Sequence, residues 1–71
     1  MTTIIQDNFS NGASVSLDMD KDAGELFVFH FQAEGKGCIT RKYPLDSYHM
    51  HVAMATYDAA CTVEMAALAD I

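Results

Sequence analysis

Seventy-one residues suffice for one domain and leave no second core to divide off. Ten acidic residues against four basic ones give a net charge of −6, which argues against the phosphate-neutralising surface of a direct nucleic-acid binder. An apolar content of 51% argues against intrinsic disorder. No apolar run approaches the ~20 residues of a membrane span. Residues 1–7 lack the basic n-region of a signal peptide. A cytoplasmic chain with Cys38 and Cys61 both reduced is therefore expected.

Glycine-containing turns divide the first half into four predicted strands, residues 2–9, 13–21, 25–34 and 38–45. The second alternates strictly, with Val15, Leu17 and Met19 on one side and Ser14, Ser16, Asp18 and Asp20 on the other. The third, from Glu25 through Phe27, Phe29, His30 and Phe31, has the aromatic content of a central strand.

Turn chemistry sets the expected register. A three-residue loop at Ser10, Asn11 and Gly12, with Gly12 in the left-handed region, places Ile5 opposite Leu17, Gln6 opposite Ser16, Ile4 opposite Asp18 and Phe9 opposite Ala13. The same loop length at Asp22, Ala23 and Gly24 predicts Leu17 beside Phe29. At Gly35, Lys36 and Gly37 it predicts Phe29 beside Tyr43. The expected inner face is then Ile5, Phe9, Val15, Leu17, Met19, Phe27, Phe29, Phe31, Ile39 and Tyr43, with His30 outside. Arg41 falls on that face as a misfit whose head reaches water.

Beyond Pro44 the period becomes helical. Asp46 or Ser47 can cap a helix over 47–70, whose stripe of Met50, Met54, Tyr57, Cys61, Met65 and Leu68 is expected to cover the phenylalanines. The predicted fold is α+β: a four-stranded (or three-stranded) antiparallel meander followed by one C-terminal helix packed on one face, a two-layer sandwich. A second stripe, Val52, Ala55, Ala59, Val63 and Ala66, leaves the far side of the helix short of charge and is a candidate homodimer interface.

Chemical motifs are sparse. Asp18, Asp20 and Asp22 occupy the first, third and fifth places of a calcium loop. Ala23 stands where the invariant glycine belongs, and Phe29 where the bidentate glutamate belongs. His49 and His51 do not share a helix face, and Cys38 and Cys61 lack zinc-ligand spacing, so no metal or cofactor is expected. No nucleophile is paired with a base in sequence, and a domain this small has little room for a substrate cleft, so no catalytic residue is assigned. What remains is an acidic hairpin: Asp18, Asp20, Asp22 and Glu25, with Glu34 near by. Acids two apart on a strand lie about 6.6 Å apart, against about 3.4 Å per phosphate along one DNA strand.

In length, antiparallel sheet, single helix and scarcity of basic residues the chain resembles the small acidic anti-CRISPR proteins encoded by phages. The resemblance implies an inhibitor in the host cytoplasm that binds a CRISPR effector complex and blocks its DNA groove or its nuclease recruitment. The expected function is thus a binding protein that mimics DNA toward a partner with a basic nucleic-acid-binding surface, through Asp18, Asp20, Asp22, Glu25 and Glu34. It needs no nucleic acid or membrane of its own. The alternative is a small structural or assembly domain that dimerises through the alanine face of the helix.

Overall fold

A computed structural model describes residues 1–69. Strands β1 (Thr2–Asn8), β2 (Ser14–Asp20), β3 (Glu25–Phe31) and β4 (Cys38–Pro44) form one antiparallel sheet in the order β1-β2-β3-β4. Helix α1 (Ser47–Ala69) then crosses one face of it. The expected end of the helix at Asp70 lies outside the described residues.

The first hairpin has the expected register. Ile5 pairs with Leu17 and Gln6 with Ser16. Phe9 donates its N–H to the Ala13 carbonyl at 2.9 Å. Gly12 adopts a φ of +91°, a conformation that L side chains resist. The one departure is a bulge between Thr3 and Ile5, which pairs Thr3, rather than Ile4, with Asp18.

The second hairpin is slipped by one residue from the expected register. Its turn holds four residues, 21–24, so Leu17 pairs with Val28 and Asp18 with Phe27. The cause lies in Asp20, whose Oδ1 accepts the Ala23 N–H at 3.1 Å and starts the turn one residue early. A slip of one exchanges the two faces of a strand. Leu26, Val28 and His30 therefore point toward the helix, and Phe27, Phe29 and Phe31 line the opposite face.

The third connection departs further, because Gln32 donates to the Gly37 carbonyl and a 3₁₀ turn (Ala33–Gly35) fills the loop. Phe29 pairs with Thr40 instead of Tyr43. Both slips are odd, so they cancel, and Ile39, Arg41 and Tyr43 return to the expected inner face.

Asp46 caps the helix. Its Oδ1 accepts the His49 N–H at 2.7 Å, and that bond holds the Asp46 carboxyl below its ordinary value. Val15, Leu17, Leu26, Val28, Ala53 and Tyr57 make the buried core. The helix meets the sheet through Met50, Ala53, Met54, Tyr57, Ala60, Cys61 and Glu64, which keeps Met50, Met54, Tyr57 and Cys61 of the expected stripe and adds Ala53, Ala60 and Glu64. Met65 is left 62% exposed. Ala53 and Ala60 bring the helix backbone close to the sheet, and aliphatic side chains fit that gap better than three phenyl rings.

Candidate partner-binding face

The face of the sheet away from the helix carries an aromatic ladder beside an acidic one. Phe27 and Phe29 stack with centroids 5.7 Å apart and planes 6° off parallel, and Phe31 continues the stack at 6.2 Å. Side chains two apart on β3 share a face, which is why alternate phenylalanines become one continuous strip. Phe31 ends it, 49% exposed. Beside the strip, β2 contributes Ser14, Ser16, Asp18 and Asp20, the last directly opposite Glu25.

Asp18 is the unusual member. Although on the uncovered face, it is only 8% exposed, shielded between its cross-strand neighbours Phe27 and Thr3. Ser16 Oγ donates to its Oδ2 at 3.3 Å, while Oδ1 has no hydrogen-bond partner. A shielded carboxylate oxygen without a donor is costly, so it marks a place where a donor is favoured. Glu25 is paired to Lys42 Nζ at 3.1 Å in an exposed bridge.

Of the five acids read as partner-binding from sequence, Asp18, Asp20 and Glu25 share this face. Asp22 stands exposed in the turn at its end. Glu34 is separated from them: it lies in the β3–β4 connection, at the other end of strands about 24 Å long. The helix residues Ala55, Ala59, Val63 and Ala66 are exposed and Val52 is half-buried; Ala59 and Val63 lie on the flank toward β4, where they share a cavity with Ile39 and Arg41.

A second polar group, between helix and sheet, was not legible in the sequence. His30, expected outside, is buried, and its Nε2 meets Glu64 Oε2 at 2.6 Å. Asn11 Nδ2 donates to the other Glu64 oxygen at 3.2 Å. The His30 bond leads in holding the Glu64 carboxyl below its ordinary value, against the opposing effect of burial. Along the same seam, Tyr57 donates its hydroxyl to Asp7 Oδ2, and Tyr43 meets Thr56 Oγ1 at 2.7 Å. Burial, aided by the Asp7 carboxylate, pushes the Tyr57 phenol well above its ordinary value. Burial likewise pushes the Cys61 thiol up, which keeps it protonated and poorly nucleophilic. These contacts fasten the helix. The available signal was the helical spacing of Tyr57, Cys61, Glu64 and Leu68, which sets one acid inside an apolar stripe.

Among the described residues, no three His, Cys, Asp or Glu side chains are placed to hold a metal ion. No described helix is long and apolar enough to cross a membrane. Comparison with family models, curated proteins and solved structures finds no match for this chain.

Proposed function

We propose that this chain is a small acidic binding protein that occupies the basic, nucleic-acid-binding surface of a partner protein, as its resemblance to anti-CRISPR inhibitors implies. The observation that carries the reading is the shielded Asp18 carboxylate, one oxygen without a donor, beside the exposed phenylalanine strip. An arginine or lysine of a phosphate-binding groove supplies the missing donor once the Phe27 or Thr3 side chain shielding Asp18 gives way, and its cationic head also suits an aromatic face. Asp20, Asp22 and Glu25 extend the same negative field toward the β2–β3 turn and favour encounter with a basic partner.

The test is a pull-down from host lysate with the retained protein identified, repeated with competing DNA. A nucleic-acid-binding protein that DNA displaces is expected, and Asp20→Lys with Asp22→Lys should release it without loss of circular dichroism. Asp18→Asn, which keeps an acceptor for Ser16, should weaken the complex about tenfold or more through loss of a charge-assisted bond. A partner held equally well by both variants would remove the acidic face from the mechanism.

One observation favours a second reading, homodimerisation through the helix. Glu64 is turned into the sheet, so Asp58 is the one acid on the exposed helix surface among the described residues. Val63 is 59% exposed there, between Ala59 and Ala66. Sedimentation of Ala55→Glu with Ala59→Glu against the parent chain decides it, and a monomeric parent at high concentration ends this reading.

A further inference from the structure

A cavity of about 190 Å³ lies between the helix and the β3–β4 side of the sheet, remote from the acidic face. Val28, Ile39, Ala60 and Val63 give it apolar walls. Its polar groups are His30, Arg41 and Thr56, whose hydroxyl is already engaged by Tyr43 and the Val52 carbonyl. They differ in what they have left to give, since His30 is committed through Nε2 to Glu64. Both oxygens of Glu64 are already engaged, one by His30 and one by Asn11. Arg41, opposite Val28 on the inner face of the edge strand, has no hydrogen bond or ion pair among the described residues. Its guanidinium, without a carboxylate partner among the described residues, borders an apolar cavity.

The geometry points to a binding site for a small apolar carboxylate, an aromatic or branched aliphatic acid, with its hydrocarbon body against Val28, Ala60 and Val63 and its carboxylate on Arg41. Size supports the class: an apolar cavity of about 150 Å³ accepts benzene, so this one holds a six-membered ring and leaves its acidic substituent at the mouth. Chemistry supports it as well. A guanidinium presents a fork that matches the two oxygens of a carboxylate, which a point-like ammonium does not. The exposure of Ile39 and Val63, 39% and 59%, marks the side on which the cavity opens. A phosphate ester, with two charges to neutralise, finds Arg41 as the one Lys or Arg lining the cavity.

Benzoate is the probe, with benzyl alcohol as its uncharged counterpart, each titrated into ¹⁵N-labelled protein and followed by amide chemical shifts. Benzoate is expected to saturate the shifts of Val28, Ile39, Arg41 and Val63 and to bind about tenfold or more tightly than benzyl alcohol. Arg41→Gln, an exposed change that leaves the core intact, should remove that preference. Ala60→Met, which fills the cavity with a flexible side chain, should abolish binding of both probes. Shifts scattered over the surface, or an affinity for benzoate unchanged by Arg41→Gln, would overturn the proposal. So would shifts at these four residues that follow protein concentration rather than benzoate, since the cavity would then be covered by a second copy. None of these outcomes bears on the acidic face, whose partner is tested separately.

Discussion

The two faces of the sheet divide the labour of the chain in an unexpected way. The inner face holds medium-sized aliphatic side chains, Val15, Leu17, Leu26 and Val28, each 2% exposed or less. The outer face keeps three phenylalanines, the bulkiest apolar groups in the sheet, stacked in a strip without a covering layer. Burial and apolar bulk are therefore separable. The helix approaches through alanines and selects what fits beneath it, while the aromatic strip shields Asp18 and is retained at a surface, where large rings serve recognition.

The sharpest way to break this contrast is to truncate one residue on each face. Leu17→Ala should destabilise by about 2–5 kcal/mol, because its neighbours are fully buried and cannot collapse into the space. Phe29→Ala removes more atoms yet should cost only roughly 1–2 kcal/mol, since its ring is already partly in water. Urea denaturation of both variants measures the difference, and equal losses would mean that the outer strip is a second core.

The polar seam sharpens the comparison next. Glu64→Gln keeps the shape and removes the charge facing His30, at an expected cost of about 1–2 kcal/mol near neutral pH. The sign of the pH dependence follows from a folded carboxyl that ionises more readily than its unfolded value of 4.5. Its contribution is complete above 4.5 and is lost as pH falls through the lower folded value. Thermal unfolding from pH 7 down to pH 3 should therefore show the parent losing more stability than Glu64→Gln, and parallel curves would contradict the assignment.

The smallest effect belongs to the β3–β4 connection. Glu34 sits at a φ of +56°, a left-handed conformation that costs a glutamate side chain about 1–2 kcal/mol. Glu34→Asn, which tolerates that region better, should stabilise by a few tenths up to about 1 kcal/mol. A fall in the unfolding midpoint would show that the Glu34 side chain has a compensating contact.

How far the fold can be read from the sequence depends on how local each determinant is. The four strands, the helix, the Gly12 turn and the Asp46 cap follow from residues close in sequence, and the structure has them all. The second register turned on one side chain, since Asp20 closes the turn a residue before the glycine pattern suggests. From that single step the three phenylalanines and His30 changed faces. The glycines of the third connection were equally misleading, because its left-handed positions include Glu34 as well as Gly35 and Gly37. The seam needed knowledge of both partners at once: nothing near Glu64 in sequence announces Asn11 or His30. For the candidate face, the acids of β2 were legible as a set, while the aromatic strip beside them waited on the correct register.

The plain succession of strands also shapes how the chain reaches its native state. Every neighbour in the sheet is a neighbour in sequence, so three hairpins close through short loops, each on a timescale of about 1–10 μs for an isolated hairpin. The seam contacts span 34 residues for His30 to Glu64, 50 for Asp7 to Tyr57 and 53 for Asn11 to Glu64. They close the largest loops and are expected to form last. Removing the Glu64 charge should accordingly accelerate unfolding and leave the refolding rate almost unchanged, so that the helix acts as the latch on a sheet already assembled.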